Sequence, residues 1–418
     1  MKHFKLFKSS LIALALASST ASFAESFAIT NATVHTVTEQ GVLENATVVV
    51  ENGKVIAINP ETLTADTIID AQGKILTPGF IGAMNQLGLV EVGAVSRSRD
   101  AGDKKADITF DASLAFNPRS TVIPYSRKGG ITSNVVAPRG GDDMFKGQTF
   151  FTDLSGEFDS VRSSHNNVVI DLGSQSKGSR ALALQNLQVK LEDAVKALAK
   201  NKDKTKDAKD KKDAKEPSRE AQVMNALLTG DKALVAYADR ATDLLALLKI
   251  KAEFSLDLVL VGAADAVLIS SEISKAKVPV VMAALDNLPG SFDSLHASLE
   301  NAATLTQAGV IVALAVDDTH NLYQLRFHAG NAIANGLSRD AALASVTANV
   351  AEAFNLDSGK IAVGKTADLV LWSADPFELS TQVSHIWIAG KEYSTKSRQD
   401  ALRDRYTTAS EMPKSYVK

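Results

Sequence analysis

Residues 78–87 read Pro78-Gly79-Phe80-Ile81-Gly82-Ala83-Met84-Asn85-Gln86-Leu87. Residues 80–84 are a short apolar run entered through a Pro-Gly pair, and the pattern of the chain changes there. Before it, strand-like segments follow one another: Phe27-Ala28-Ile29, Ala32-Thr33-Val34, Ala46-Thr47-Val48-Val49-Val50 and Lys54-Val55-Ile56-Ala57-Ile58. The last two flank Asn52-Gly53, a strong hairpin signal because both residues accept positive φ. After it, strand candidates at 80–84, 131–137, 167–172, 233–238, 257–262, 278–283 and 310–316 alternate with helical stretches. That alternation predicts βα units closed into a barrel. An eighth candidate is 147–152, but no helix separates it from 167–172, so the barrel is irregular in its first half or a strand is misplaced. Residues 367–372 and 383–391 return to an all-β pattern.

The chain has 418 residues, of which 45% are apolar and 22% charged, a balance that fits a soluble protein with a substantial core. Lys2, Lys5 and Lys8, the apolar run from Leu11 to Ala17 and the small-x-small site Ser22-Phe23-Ala24 read as a secretory signal cleaved after Ala24. The run is too short for a membrane span of about 20 residues. No cysteine follows the cleavage site to carry a lipid anchor, and none anywhere excludes disulfides and thiolate ligands. The net charge of −3 becomes more negative without the three leader lysines, which excludes the basic face a nucleic-acid partner needs. Residues 201–216 are a Lys/Asp run expected to be a solvated, disordered insertion. The expected organisation is a leader at 1–24, the first half of a β-sandwich at 25–77, a barrel at 78–357, the second half of the sandwich at 358–395 and a tail at 396–418.

Several segments together resemble the amidohydrolase superfamily. Residues 78–87 are similar to its first barrel strand, Pro-Gly-Phe-Ile-Asp-Ala-His-x-His-Leu. The run Gly129-Gly130-Ile131-Thr132-Ser133-Asn134-Val135-Val136-Ala137-Pro138 resembles the second strand of imidazolonepropionase-like members. Residues 309–317 resemble the eighth strand with its terminal aspartate. Gly359 to Lys365 followed by Ala367-Asp368-Leu369-Val370-Leu371-Trp372 resembles the return to the sandwich. The resemblance implies an α/β fold: an irregular TIM-like (β/α)8 barrel with a small β-sandwich formed from both chain ends. It implies hydrolysis of non-peptide C–N bonds with one or two divalent metals such as zinc, and a bacterial periplasm as the destination of the leader.

The same resemblance locates the metal ligands at the C-terminal ends of the barrel strands. There the sequence departs from it. Met84 and Gln86 stand at the strand-one histidines, Tyr237 at the strand-five histidine, and Gly262 or Ala263 at the strand-six position; Asp317 alone is retained. A thioether is a poor zinc donor and a neutral amide a weak one. The seven histidines form no H-x-H or H-x3-H pair, although His320 lies three residues beyond Asp317. No cofactor is therefore expected. Asp317 reads either as a residual general base or as a structural carboxylate, and Arg139 either as an anchor for a substrate carboxylate or as a surface ion pair. Pocket candidates are Met84, Gln86, Tyr237, Ala263, Arg139 and His320. No Gly-x-Ser-x-Gly elbow, Walker loop or GxGxxG after a strand is present. The expectation is a secreted, periplasmic family member with a degenerate metal centre and weak or no hydrolase activity, acting on a small-molecule ligand or beside a protein partner such as an active homologue. The alternatives are a working hydrolase around Asp317, Tyr237 and His320, or a periplasmic binding protein.

Overall fold

A computed structural model describes residues 26–173, 178–206 and 217–408. The expected leader and residues 207–216 of the Lys/Asp run lie outside the described residues.

The first β unit holds β1 (Ser26–His35), β2 (Val42–Glu51), β3 (Lys54–Ile58), β4 (Thr67–Asp70) and β5 (Ile75–Pro78). The barrel strands follow: β6 (Phe80–Asn85), β7 (Ile131–Val136), β8 (Phe145–Gln148), β9 (Phe150–Asp153), β10 (Val161–Ser163), β11 (Val168–Asp171), β12 (Ala233–Ala238), β13 (Asp257–Gly262), β14 (Val280–Met282) and β15 (Val312–Leu314). The chain then returns to the β unit with β16 (Leu369–Trp372), β17 (Val383–Ile388) and β18 (Lys391–Glu392).

The sandwich is one continuous eight-stranded sheet ordered β18-β17-β16-β5-β1-β2-β3, with β4 beside β1. Its two edges fold back onto each other. Val55 of β3 and Trp387 of β17 share one buried core with Phe27, Ile29, Val48, Leu76 and Leu371. The hairpin tips from opposite edges touch: a Cβ on Gly53, at φ +74°, would sit 2.7 Å from the Ala389 carbonyl oxygen. Only glycine accepts both the dihedral and the approach. The register shifts in β1 between Ile29, Ala32 and Val34 are bulges that bend the sheet.

The barrel is irregular between β7 and β11, where no crossover helix intervenes. Only residues 137–144 separate β7 from β8, fewer than a parallel connection needs. The segment 145–153 therefore runs against both neighbours. Its first half, β8, pairs antiparallel with β11, and its second half, β9, pairs antiparallel with β7. Thr149 between them takes its own ladder bond, donating its N–H to Asn167 O at 2.8 Å. This antiparallel segment is the eighth barrel position, at the place of the 147–152 candidate. Beyond it, β11 to β15 pair in parallel order. Among the described residues no ladder joins β15 to β6. The helix Ala348–Ala353 packs against both, and Ile81 N–H donates to Val346 O at 2.9 Å.

Strands buried on both faces read as continuous apolar runs, and the period of two sorts their side chains. Ile81, Val135, Val169, Val235, Val259, Val281 and Ala313 fill the barrel interior. Phe80, Val168, Leu234, Leu258, Val280 and Val312 face the surrounding helices. The helix Arg180–Lys206 begins before the Lys/Asp run and continues into it, and the helix Arg398–Thr407 lies in the segment read as a tail. Arg398–Thr407 opens with a capping box on Ser397 and Asp400 and is tied to the barrel by Lys128 Nζ, 2.6 Å from Asp400 Oδ1. No described helix is long and apolar enough to cross a membrane.

Candidate functional site at the barrel mouth

The interior phase of each strand, extended past its C-terminal end, fixes what reaches the mouth. Asp171 is in phase with Val169, Tyr237 with Val235, and Asp317 with Ala313 and Ala315. All three line a cavity of about 710 Å³. Met84 breaks the phase. It has φ +59° at a register shift between Ala83 and Asn85, and this bulge turns its side chain inward next to that of Ala83. Asn85 instead exchanges two amide hydrogen bonds with Asn134, at 2.8 and 3.0 Å. Gly82 is what leaves room for that pair, since a Cβ there would lie 2.3 Å from Asn134 Oδ1.

Arg139, just beyond β7, is the cation at the centre. Its Nη2 lies 3.6 Å from Asp317 Oδ2, and its Cζ stands 5.8 Å from the centroid of the Tyr237 ring. Tyr237 donates its hydroxyl to Met84 O at 3.4 Å. Burial pushes the Tyr237 phenol up to about 12, against the opposing pull of Arg139. It is therefore a neutral hydrogen-bond donor near neutral pH and no base. Asp171 is raised from the usual carboxylate range by burial, offset by the Gly173 N–H, Lys146 and Arg139. Asp239 is raised by burial and by the charges of Asp293, Asp171 and Asp265, and Asp286 by burial and the charge of Asp317. Behind the site, burial drops the His328 imidazole to about 4, and its Nδ1 has no partner in the described structure.

Of the candidates read from the sequence, Met84, Arg139, Tyr237 and Asp317 line the cavity. Gln86, Ala263 and His320 are not among the lining residues. The Gln86 N–H donates to Thr319 Oγ1 at 3.2 Å, and His320 Nε2 pairs with Glu91 O at 2.8 Å on the surface. Ala263 is buried at φ +54°, while its neighbours Gly262 and Ala264 form the wall. Arg139 forms the ion pair that was one of its two readings. Sequence reasoning missed Lys146, Asp171, Asp239 and Asp286, which also line the cavity. Asp171 and Asp239 end or follow predicted strands, and that position was the available signal. It also missed the His296–Asp265 pair at the rim, with Nδ1 2.7 Å from Oδ1.

A tightly bound divalent metal needs three or four convergent protein ligands. Among the described residues no three His, Asp or Glu side chains gather closely enough to hold one. At the mouth a thioether, a protonated phenol and a guanidinium stand beside Asp317. These residues do not fit a tightly held zinc ion.

A cavity lined by the C-terminal ends of barrel strands is the active-site position of a βα-barrel enzyme. Residues 218–393 match the family model described as the amidohydrolase family. An amidohydrolase from Thermotoga maritima MSB8 superimposes with a TM-score of 0.80 at 26% identity, over 88% of this chain and 99% of that one. A prolidase complexed with N-methylphosphonate-L-proline gives a TM-score of 0.56 at 15% identity, over 88% and 99%. A mutant atrazine chlorohydrolase from Arthrobacter aurescens TC1, complexed with zinc and atraton, gives 0.51 at 16%, over 91% and 98%. No curated protein is matched. By the matched segment and by the shared fold, the chain is similar to amidohydrolases.

Proposed function

We propose that this chain is a secreted, periplasmic amidohydrolase-superfamily protein that uses its barrel-mouth cavity to bind a small molecule, with a degenerate metal centre and weak or no hydrolase activity. The observation that carries this reading is the pairing of Asp317, the one retained family ligand, with the Arg139 guanidinium at 3.6 Å. A fixed cation beside that carboxylate opposes a divalent ion on electrostatic grounds, and the other family positions at the mouth offer no imidazole. Without a bound metal, no cation of double charge lowers the pKa of a water for attack on an amide. The cavity volume is in the range of small-molecule sites, roughly 300–1,000 Å³. The atrazine chlorohydrolase structure, by contrast, is complexed with zinc. A protein partner such as an active homologue is compatible with this reading and is a second proposal for the same surface.

The competing reading is a working hydrolase around Asp317, Tyr237 and His320. The ring of His320 bonds to Glu91 O and not to the cavity, which weighs against it. Metal analysis of the purified mature protein decides between them. We expect far less than one equivalent of zinc, manganese or iron per chain after dialysis. Stoichiometric metal overturns the degenerate-centre reading. Sequencing the N-terminus of the exported protein tests secretion, with Glu25 as the expected first residue.

A further inference from the structure

Among the described residues, charge on the cavity wall does not balance. Arg139 faces Asp317, and Lys146 donates its Nζ to the carbonyls of Gly141 and Asp143 at 3.3 and 2.7 Å. Asp171, Asp239 and Asp286 line the same cavity, and none of them makes an ion pair within 4 Å among the described residues. Asp171 accepts the Gly173 N–H on Oδ1 at 2.7 Å, and Asp239 accepts the Ala264 N–H at 3.4 Å. Asp171 is only 6% exposed, and among the described residues its Oδ2 has no donor. A carboxylate taken out of water without a counter-charge is costly, and the cost is repaid only by a partner that brings charge and N–H groups. Met84, Val261, Val281, Met282 and Ala315 form the apolar part of the wall, and Asp142, Tyr237, Ser294 and Asn301 also line it.

We infer that the cavity takes an organic cation, a small molecule whose ammonium, amidinium or guanidinium group meets the Asp171, Asp239 and Asp286 carboxylates while an apolar body rests on Met84, Val281 and Met282. A cationic donor forms a charge-assisted hydrogen bond with whichever of these carboxylates it reaches and is attracted by the others. An anionic ligand meets the Asp171, Asp239 and Asp286 carboxylates, and the Arg139 guanidinium that would attract it is already faced by Asp317. A bare metal ion lacks the convergent ligands it needs. This inference deepens the pocket-binding reading and rests on it.

Three probes of one shape separate the charge from the cavity: phenethylamine, phenethyl alcohol and 3-phenylpropionate, titrated calorimetrically into the mature protein at low salt. The amine is expected to bind at least about tenfold more tightly than the alcohol, and the carboxylate not to bind. Asp239→Asn and Asp286→Asn should each weaken the amine by roughly threefold or more and leave the alcohol unchanged. Circular dichroism and melting temperature confirm that each variant is folded. Equal affinity for amine and alcohol, preference for the carboxylate, or no binding of the amine overturns the inference. In the first two cases the pocket-binding reading survives. Stoichiometric zinc in the same preparation removes that reading whichever probe binds.

Discussion

The Arg139 guanidinium lies 3.6 Å from the Asp317 carboxylate and so ties the exit of β7 to the exit of β15 across the barrel mouth. It also stands over the Tyr237 ring at the end of β12. One guanidinium thus touches the exits of three barrel strands at the mouth.

That pair should matter to the cavity more than to the fold. The Arg139 and Asp317 side chains are 40% and 72% exposed, so water screens them. Arg139→Gln should change unfolding free energy by less than about 1 kcal/mol. A loss well above that in urea denaturation would mean that Arg139 holds the loop after β7 in place.

The bulge at Met84 makes a prediction about restoring a metal site. Simple strand alternation places residues 84 and 86 on one face, but Met84 lines the cavity and Gln86 does not. Met84→His with Tyr237→His should therefore raise zinc affinity at least about tenfold, or about 1.4 kcal/mol, through two imidazoles and Asp317. Adding Gln86→His should add little. Competition with a chromophoric chelator measures both, and a gain that requires Gln86→His would show that the bulge straightens when metal binds.

Two buried groups oppose each other in acid. Burial raises Asp368 to about 6, so the folded state holds this proton more tightly than the unfolded chain. Stability from this group is lost as pH rises from about 4 to about 6. His328 is lowered to about 4, so the unfolded chain takes its proton first, and stability is lost as pH falls from about 6.5 to about 4. Asp368→Asn should remove the first slope and steepen the acid loss. His328→Gln should remove the second and make the protein more stable at pH 5 than at pH 7. Urea midpoints at the two pH values read both signs, and parallel curves for all three proteins would refute the assignment.

The folded-over sheet predicts mutual dependence of the chain ends. β5 pairs with β16, and the Gly53 and Ala389 hairpin tips abut. A chain ending at residue 357 leaves Val48, Val55 and Leu76 without Leu369, Leu371 and Trp387, their partners in one core. It should be insoluble or rapidly cleaved by thermolysin. A soluble, protease-resistant product would show that the first five strands close on their own.

How far the sequence could be read follows the physics of each element. Uniformly apolar runs such as residues 233–238 and 257–262 became strands because burial on both faces leaves no other reading. Asn52-Gly53 marked its hairpin through dihedral preference alone. The antiparallel segment 145–153 was visible as strand-like but not in direction, which depends on the length of the connection before it. At the site, Asp317 and Tyr237 were reachable by counting in twos along a strand. Gln86 was not, because the register shift at Met84 is a property of the neighbouring Asn85–Asn134 pair. Asp239 and Asp286 sit on loops after strands, where no period reports orientation.

Joining the first strands of a chain to its last has a temporal cost. β5 reaches its neighbour β16 only after nearly the whole polypeptide has been made, whereas each βα unit of the barrel finds its partner within one turn of synthesis. Contacts so distant in sequence form slowly. During that interval the β5 edge at Leu76 is bare, and any machinery that shields nascent chains has its strongest claim on this protein there.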